Sequence, residues 1–310
     1  MQGPDAVSGL QRLCTSNVDV ALGRIVYTLL CNERGGIEMD PTVTRLGEDR
    51  FMVLAPTLYQ RRTEMLLRAG LPAGATVTDV TSGWATLHLA GPSSRELLGR
   101  LTDEDLGNDA FPFLRTKEIE VARARAWAYR VSFTGELGWE LSVPTEFVAD
   151  LYERIVTAGE SLGLRHAGAF AFDAARTERG FRSWGHDIGQ MDDPYAAGLA
   201  FAVSSKKTED FVGREALAAL KEARRERMLV SVHAPGAVLW HGESILRGDE
   251  RVGHLTSGAI APTLGGSAGL GWVHGDLEGD GWGVEIHGEV VPATVQVDPF
   301  YDPRGERLRS

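Results

Sequence analysis

The stretch F-T-G-E-L-G-W-E-L-S-V, residues 133–143, contains the pattern that decides the fold. Two glycines interrupt its first half, and its second half alternates with the period of a β-strand. Glu140 lies inside this strand on the opposite face from Trp139 and Leu141. Because burying an unpaired carboxylate is costly, Glu140 is predicted either to face solvent or to meet a partner rich in hydrogen-bond donors. An ionised carboxylate accepts two parallel hydrogen bonds, which suits an Arg fork or a 2-amino-4-oxo pyrimidine edge.

Further strands are predicted before this stretch at 51–55, 85–89 and 117–133, from short apolar runs or from alternation. Arg123 and Arg125 interrupt the third run and favour its division into two strands. One face of that run is expected to carry its large apolar side chains, and the other face its alanines. The large residues are Ile119, Val121, Trp127 and Tyr129, and the alanines are Ala122, Ala124, Ala126 and Ala128.

Helices are predicted at 145–158, 173–179 and 211–221, where apolar residues recur at helical spacing or where helix formers continue to a glycine. Gly180 is a suitable left-handed C-cap for the second helix. From about residue 227 onwards, short apolar runs alternate with Gly, Pro and Asp turns and show no helical period. This pattern predicts a small all-β module of the barrel type.

A weak internal repeat, G-P-x₅-L-x-R-L, begins at Gly3 and again at Gly91. Each copy predicts a turn followed by a helix, with Asp5 in the first copy and Ser93 or Ser94 in the second as N-caps. A strand precedes the second copy, but almost nothing precedes the first. We therefore expect either that the first unit lacks its entering strand or that the chain is a shortened version of a longer one.

Composition and charge exclude several classes of protein. The chain has 310 residues, of which 43% are apolar and 24% charged, and its net charge is −11. Such an acidic chain argues against general nucleic-acid binding, and no apolar stretch is long enough to span a membrane. The first residues do not resemble a secretory signal, and Cys14 and Cys31 are too few for a disulfide framework. A cytoplasmic protein with free thiols is expected.

Two familiar catalytic patterns do not apply. The eight histidines (88, 166, 186, 233, 241, 254, 274 and 287) lack the spacing of metal ligands, so no metal site is predicted. Residues 265–269 read G-G-S-A-G and match a nucleophile elbow, but turns flank them where the elbow needs a strand and a helix. We interpret this segment as a turn.

Asp40 is a second carboxylate in an unexpected place, between a Gly-Gly turn at 35–36 and a predicted strand that begins near Thr42. A Gly-Gly turn allows the backbone to approach a ligand closely. Asp40 is therefore predicted either to face a cleft or to cap a turn or bulge.

Residues 133–140 resemble the Y-T-G-E-x-G-x-E signature of the aminomethyltransferase (glycine-cleavage T-protein) family. Further motifs in the family's order support the resemblance, and the closest similarity is to the folate-binding C-terminal portion of dimethylglycine and sarcosine dehydrogenases and oxidases. The supporting segments are N-E-R-G-G-I-E-M-D at 32–40, D-A-A-R-T-E-R-G at 173–180, W-G-H-D-I at 184–188, F-V-G-R-E at 211–215 and T-S-G at 256–258.

The resemblance implies an α+β protein in which three subdomains form a ring, with a C-terminal β-barrel module and the N-terminal strand missing. The expected subdomains are 1–45 with 142–222, then 46–141, then 223–310. Family members bind tetrahydrofolate through the central opening of this ring. Phe172 and Ala196 stand where T-proteins have an arginine and a carboxylate, which leaves folate binding to be tested.

The resemblance also implies roles for individual residues. Asp40 matches the catalytic carboxylate beside the reacting folate nitrogens, where it orients the amine, assists proton transfer and stabilises positive charge. Glu140 matches the acid that pairs with the pterin edge. Phe201 matches an aromatic position near the pterin, with a place in the core as the alternative, and Tyr27 and Arg214 are further candidates for cofactor contacts.

The implied activity is tetrahydrofolate-dependent one-carbon transfer with a small amine or related molecule as donor or acceptor. A folate-dependent O- or S-demethylase is the near alternative. A non-catalytic folate-binding module and a subunit of a flavin-dependent amine oxidase complex are two further alternatives. The expected partners are a small-molecule substrate and a flavoprotein amine oxidase, and the chain itself is expected to be a monomer or homodimer.

Overall fold

The computed structural model describes all 310 residues and divides into two compact units. The first unit comprises Met1–Thr28, Pro41–His166 and Gly305–Ser310. The second comprises Leu29–Asp40 and Ala167–Arg304. The three expected subdomain boundaries remain a prediction.

Seven α-helices and sixteen β-strands form the chain. The helices are α1 (Ala6–Leu13), α2 (Gln60–Gly70), α3 (Ser94–Gly99), α4 (Val148–Gly159), α5 (Ala169–Glu178), α6 (Arg214–Glu222) and α7 (Glu306–Arg309). The strands are β1 (Ile25–Tyr27), β2 (Leu30–Cys31), β3 (Ile37–Met39), β4 (Thr42–Arg45), β5 (Phe51–Leu54), β6 (Trp84–Ala90), β7 (Thr116–Val121), β8 (Ala124–Tyr129), β9 (Gly138–Pro144), β10 (Arg227–Ala234), β11 (Ser244–Arg247), β12 (Glu250–Ile260), β13 (Ser267–His274), β14 (Trp282–Ile286), β15 (Glu289–Pro292) and β16 (Thr294–Gln296). These bounds confirm the predicted strands and helices to within a few residues.

The first unit contains two antiparallel sheets, in the orders β1-β4-β5 and β6-β9-β8-β7. One face of the four-stranded sheet is packed by α3 and α4, because Leu98 of α3 and Leu151 of α4 join the same buried cluster as Trp139 and Leu141 of β9. The helical spacing of apolar residues in α4 thus serves to cover this face. The opposite face carries Thr86, Ser142 and Glu140 together with the aromatic side chains of Trp127 and Tyr129.

The long run before β9 divides into two strands, as expected, since β7 ends at Val121 and β8 begins at Ala124. Ala122 adopts φ +56° in the turn between them. The prediction that the large side chains and the alanines occupy opposite faces is wrong, because the turn reverses the chain and changes the parity of the alternation. Ile119 pairs with Ala126, so both lie on the buried face.

The internal repeat has a structural counterpart. Gly3 and Gly91, which open the two copies, have φ values of +123° and +124°. These values lie in a region that L side chains rarely adopt, so both copies need glycine to turn the chain into the helix that follows. The helices α1 and α3 confirm the prediction of a turn and a helix in each copy.

Asp5 and Ser93 occupy the predicted N-cap positions of α1 and α3, but the predicted side-chain capping is wrong. No side chain of Asp5 or Ser93 accepts a hydrogen bond from the first turn of its helix. Asp5 Oδ2 accepts from the backbone N–H of Gly74 at 3.1 Å instead. Ser94 Oγ donates to the carbonyl of Leu137 at 3.0 Å. These side chains therefore tie their helices to neighbouring loops.

The second unit contains the two-stranded hairpin β2-β3 and a seven-stranded antiparallel sheet in the order β15-β14-β11-β12-β13-β10-β16. This curled, barrel-like sheet confirms the predicted all-β module and encloses its own core, which includes Val232, Ile245 and Val273. Ser267, the serine of the elbow-like pattern, is fully buried at the start of β13 and donates to the carbonyl of Ala237. It follows two turn glycines, as interpreted from the sequence.

The fold has neither a helix that could span a membrane nor a cluster of metal-ligating side chains. No helix is long and apolar enough to cross a bilayer. No three His, Cys, Asp or Glu side chains are grouped as metal ligands would be.

Candidate functional site

Glu140 lies in β9, in the interior of the four-stranded sheet of the first unit. The strand register places it opposite His88 of β6 on one side and Tyr129 of β8 on the other. Its neighbours Trp139 and Leu141 are fully buried on the helix-covered face. Side chains alternate along a strand, so Glu140 projects from the other face of the sheet, as the sequence predicted.

The two glycines of the 133–143 stretch are each required by the backbone. Gly135 has φ +82°, in the left-handed region, and turns the chain into β9. A Cβ atom on Gly138 would lie 2.5 Å from the carbonyl oxygen of Leu89 in β6. The close approach of β6 to β9, which sets Glu140 beside His88, therefore depends on the second glycine.

Two polar pairs on this face differ in how they are satisfied. The hydroxyls of Thr86 and Ser142 hydrogen-bond to each other at 2.7 Å. His88 Nδ1 and Glu140 Oε1, the next pair along the same strands, are 3.9 Å apart, which is too far for a hydrogen bond. No protein group donates a hydrogen bond to the Glu140 carboxylate, although only 27% of its side chain is exposed.

The electrostatics of this face favour neutral groups. Burial raises the pKa of Glu140 above its ordinary value and lowers the pKa of His88. Burial, and secondarily the Glu140 carboxylate, raises the pKa of the Tyr129 phenol. A half-buried carboxylate with no donor of its own is unusual in a folded protein, and a ligand that supplies N–H donors would satisfy it.

A tetrahydrofolate pterin fits this donor and acceptor set. The 2-amino group and the adjacent ring N–H of a pterin are parallel donors, and a carboxylate accepts two such hydrogen bonds side by side. The polar hydroxyls of Thr86 and Ser142 are already paired and do not compete for these donors. The role of Glu140 in holding the pterin edge stays a prediction.

Asp40 lies in the second unit, directly after β3, and is half-buried. The β2-β3 hairpin turns through Gly35, which has φ +84°. A Cβ atom on Gly36 would overlap the carbonyl oxygen of Gln190, so the close approach made by this turn is to the chain's own backbone. The role of Asp40 itself stays a prediction.

The other three predicted contact residues have different surroundings. Tyr27 ends β1 in the first unit and is half-buried. Phe201 is 74% exposed in a short helical turn of the second unit, so the alternative that places it in the core is wrong. Arg214 begins α6 and uses its guanidinium to hold the preceding loop, donating to the carbonyls of Lys207, Thr208 and Glu209.

Sequence reasoning did not select His88 or Tyr129, which flank Glu140. The sequence does place His88 at a polar-face position of an alternating strand. A single histidine at such a position has many explanations, so it does not by itself indicate a site. The pairing of β6 with β9, which brings His88 to Glu140, depends on contacts distant in sequence.

Residues of the motif at 173–180 form a buried network in the second unit. The sequence alone did not predict a role for these residues. Arg176 of α5 contacts Asp187 through Nη1 at 2.5 Å and Ser257 of β12 through Nη2 at 2.7 Å. Glu178 Oε1 accepts from the backbone N–H groups of Thr263 and Leu264 at 2.9 and 3.0 Å. Both side chains tie α5 to the barrel-like sheet.

Two known protein domains match most of the chain. Residues 1–207 match the GCVT N-terminal domain, and residues 224–302 match the glycine cleavage T-protein C-terminal barrel domain. The chain belongs to the glycine-cleavage T-protein family. This family comprises folate-dependent aminomethyltransferases and related domains of amine-oxidising enzymes.

Relatives of both kinds are similar over almost the full chain. An aminomethyltransferase from Rubrobacter xylanophilus is 34% identical over 98% of this chain and 82% of its own length. The crystal structure of aminomethyltransferase T of the glycine cleavage system from Bartonella henselae has a TM-score of 0.83 at 25% identity, with 97% of this chain and 83% of that chain covered. These matches confirm the T-protein fold.

The other relatives are longer proteins. The 4-methylaminobutanoate oxidase (formaldehyde-forming) of Paenarthrobacter nicotinovorans is 41% identical over 99% of this chain, but the match covers 38% of the relative. Rat mitochondrial dimethylglycine dehydrogenase is 32% identical over 100% of this chain and 37% of its own length. The chain thus spans less than two fifths of these first relatives, and their activities as whole proteins are not transferred to it.

Proposed function

We propose that this chain is a tetrahydrofolate-dependent one-carbon transferase acting on a small amine or a related donor or acceptor. The observation that carries the proposal is the Glu140 carboxylate, half-buried on a sheet face and given no hydrogen bond by the protein. Membership of a folate-dependent family supports the same reading.

Glu140 has the role of holding the pterin. Its ionised carboxylate accepts hydrogen bonds from the 2-amino group and the neighbouring ring N–H, and the charge-assisted pair offsets the burial that raises its pKa. The fully buried side chains of Trp139 and Leu141 hold its strand in place from the opposite face. Tyr27, Phe201 and Arg214 are proposed as further contacts to the cofactor.

Asp40 has the role of assisting transfer. Tetrahydrofolate supplies the nitrogen atoms that carry the one-carbon unit. A carboxylate beside the reacting nitrogen orients the amine, accepts or returns a proton, and stabilises positive charge that develops during transfer. Asp40→Asn keeps the shape of the side chain but removes its charge and basicity.

A second candidate is a folate-binding subunit of a flavin-dependent amine oxidase. It is supported by relatives such as the 4-methylaminobutanoate oxidase, of which this chain corresponds to less than two fifths. In that case a separate flavoprotein oxidises the amine, and this chain takes up the released carbon. The O- or S-demethylase alternative has no structural observation in its favour.

Calorimetric titration with tetrahydrofolate tests the binding role. The wild-type chain is expected to bind saturably, and Glu140→Gln is expected to weaken binding at least a hundredfold, as the loss of two charge-assisted hydrogen bonds would. Glu136→Gln is the matched control, because Glu136 lies in the same motif and is 25% exposed but pairs with Arg307. Equal affinity of the two variants would contradict the role of Glu140.

Turnover separates the transferase from the binding subunit. We would measure folate product from N-methylated amines, with and without an amine-oxidising flavoprotein, above the spontaneous reaction of formaldehyde with tetrahydrofolate. A transferase is expected to lose this rate in Asp40→Asn while keeping its affinity for tetrahydrofolate. A wild-type chain that binds tetrahydrofolate and gives no rate above the spontaneous one would favour the non-catalytic module.

A further inference from the structure

A cavity of about 270 Å³ lies in the second unit, and none of the residues proposed to contact tetrahydrofolate lines it. Its wall carries three arginines, Arg224, Arg225 and Arg227, which lie just before β10 or at its start. Three acids and several apolar side chains complete the lining. Ligand pockets are concave and set a few polar groups among apolar ones, so this cavity is suited to a small organic molecule.

Arg227 is held in one orientation and keeps unused hydrogen-bond donors. Its guanidinium carbon lies 4.4 Å from the centroid of the Trp272 ring, and its Nη2 donates to Asp192 Oδ1 at 2.6 Å. Trp272 is itself fixed, because its indole N–H donates to the carbonyl of Asp187 at 2.9 Å. The Nε and Nη1 atoms of Arg227 donate to no protein group, and the side chain is 34% exposed. Arg227 is therefore a preorganised donor for a ligand oxygen.

The other two arginines of the cavity have no acidic partner. Arg224 and Arg225 form no ion pair, and neither guanidinium donates a hydrogen bond to the protein. The guanidinium carbon of Arg225 lies 6.0 Å from the centroid of the Tyr195 ring, so an aromatic face orients this side chain as well. The positive charges of both arginines are therefore available to an anion.

Two acids that also line the cavity limit the charge of its ligand. Asp193 Oδ1 accepts from the backbone N–H groups of Tyr195 and Ala196 at 2.8 and 3.0 Å, and Glu226 is exposed. Neither acid forms an ion pair with the arginines. Both would repel a doubly charged ligand more strongly than a singly charged one. A carboxylate, which carries one charge on two oxygens, therefore fits this cavity better than a phosphate does.

A small residue keeps the cavity open. Ala196 lines it and is 6% exposed, and its carbonyl accepts from the backbone N–H of Leu229, two residues after Arg227 in β10. Ala196 stands where T-proteins have a carboxylate. With a methyl group at this position, no carboxylate of residue 196 occupies the space, and the carboxylate of a ligand has room there.

We propose that this cavity is a second ligand site, which binds the carboxylate group of a small organic acid through Arg227 and Arg225. Arg227 donates from the N–H groups that Asp192 leaves unused, and Arg225 supplies a second positive charge. Met191 and Leu220, which also line the cavity, contact the hydrocarbon part of the acid. The inference goes beyond the proposed function and does not depend on it, because the site requires no tetrahydrofolate.

Sodium butanoate is the probe for this site, since it combines one carboxylate with a short hydrocarbon chain. We would titrate the 310-residue chain with butanoate and measure its Kd by saturation-transfer NMR of the butanoate signals. Sodium chloride keeps the ionic strength constant, so that general screening of charge does not change during the titration. Wild type is expected to bind butanoate saturably. Sodium phosphate and butylamine are then added as competitors, and each is expected to displace butanoate poorly.

Two substitutions test the positive charge and the open space separately. Arg225→Gln removes a charge without breaking an ion pair, and it is expected to weaken butanoate binding about tenfold, as the loss of one charge-assisted hydrogen bond would. Ala196→Glu keeps all three arginines and places a side-chain carboxylate in the cavity, so it is expected to abolish binding without lowering the melting temperature. Arg251→Gln is the control, because Arg251 lies on the same sheet, is 67% exposed and does not line the cavity.

The outcomes either support the site or overturn it. Weaker butanoate binding in Arg225→Gln and Ala196→Glu, with Arg251→Gln unchanged, supports it. No binding by wild type, or the same Kd in all four proteins, would overturn the proposal. Displacement of butanoate by phosphate or by butylamine at concentrations below the Kd of butanoate would overturn the assignment to a carboxylate. Tetrahydrofolate is absent from every titration, so none of these results bears on the proposed function.

Discussion

Replacing Arg176 in the second unit provides a quantitative test of how α5 is held to the barrel-like sheet. The guanidinium is 3% exposed and contacts Asp187, whose carboxylate is fully buried, at 2.5 Å. Ser257 of β12 accepts from the same guanidinium and donates to the Asp187 carboxylate, both at 2.7 Å. Arg176→Met keeps a long side chain in this space and removes the only cation paired with Asp187.

The expected loss in the free energy of unfolding depends on the hydrogen bonds that Asp187 keeps in Arg176→Met. Removing one partner of a buried ion pair typically costs about 3–5 kcal/mol, because the remaining charge is left buried. Asp187 keeps hydrogen bonds from Thr256 Oγ1 at 2.6 Å, from Ser257 Oγ at 2.7 Å and from the backbone N–H of Ser183 at 2.8 Å. These neutral donors stabilise the carboxylate in part, so we expect a loss of about 3 kcal/mol, at the lower end of that range.

The control is an ion pair of similar length on the surface of the same sheet. Arg251 and Glu285 are 2.6 Å apart, but the arginine side chain is 67% exposed. Arg251→Met is therefore expected to cost less than about 1 kcal/mol.

The assay is urea denaturation followed by tryptophan fluorescence, with Trp272, which donates its indole N–H to the Asp187 carbonyl at 2.9 Å, as a nearby reporter. The free energy of unfolding is compared between Arg176→Met, Arg251→Met and wild type. A loss below about 1 kcal/mol in Arg176→Met, equal to that of the control, would refute the assignment of the network as a buried anchor.

Three further predictions concern the pH dependence, a thiol and a glycine. Burial raises the pKa of the Glu140 carboxyl in the folded state, so ionisation of Glu140 destabilises the fold as pH rises through that pKa. Glu140→Gln should therefore raise the melting temperature at pH 8 and leave it nearly unchanged at pH 4. The opposite order would contradict this. Burial raises the pKa of Cys31 to about 12, so the native protein should resist Ellman's reagent at this thiol at pH 8 and react only after denaturation, as mass spectrometry of labelled peptides will show. Gly138→Ala should lower the free energy of unfolding, measured by urea titration, by about 2 kcal/mol or more, because its Cβ would lie 2.5 Å from the Leu89 carbonyl oxygen. Gly99→Ala is the control, because a Cβ there meets nothing within 4 Å, and it should change the free energy of unfolding by less than about 0.5 kcal/mol.

Local pattern predicted the elements well where it was strongly periodic. The amphipathic run from residue 145 forms a short helical turn followed by α4. The alternation around Glu140 correctly predicted the face of β9 from which that side chain projects. Such predictions succeed because side-chain direction along one strand or helix depends only on its own backbone. The overall fold that these elements form was predicted from the family resemblance and not from the local pattern.

Prediction failed where one residue decides between two local geometries. The turn at Ala122 changed the parity of the alternation and moved Ala126 to the face of Ile119. Asp5 occupies the N-cap position of α1, but its carboxylate accepts a hydrogen bond from the backbone N–H of Gly74, which is distant in sequence. Neither outcome is encoded in the spacing of nearby residues.

The candidate site was predictable only in part, for a related reason. Glu140 stood out because a carboxylate inside an apolar strand is rare. His88 did not, since its relation to Glu140 arises from the pairing of β6 with β9, two strands separated by about fifty residues of chain. The contacts of Arg214 with three loop carbonyls are likewise a property of the folded loop and not of the motif.

The affinity of the chain for tetrahydrofolate, measured by calorimetry at a series of pH values from 8 to 5.5, tests the central claim most directly. We predict saturable binding by wild type at pH 8 that weakens as pH falls and the Glu140 carboxylate, whose pKa burial raises, becomes protonated. Glu140→Gln, measured beside it, corrects for titration of the ligand and should bind weakly at every pH. Wild-type binding that follows the same pH profile as Glu140→Gln, or no binding at pH 8, would contradict the claim that this chain recognises a pterin through Glu140.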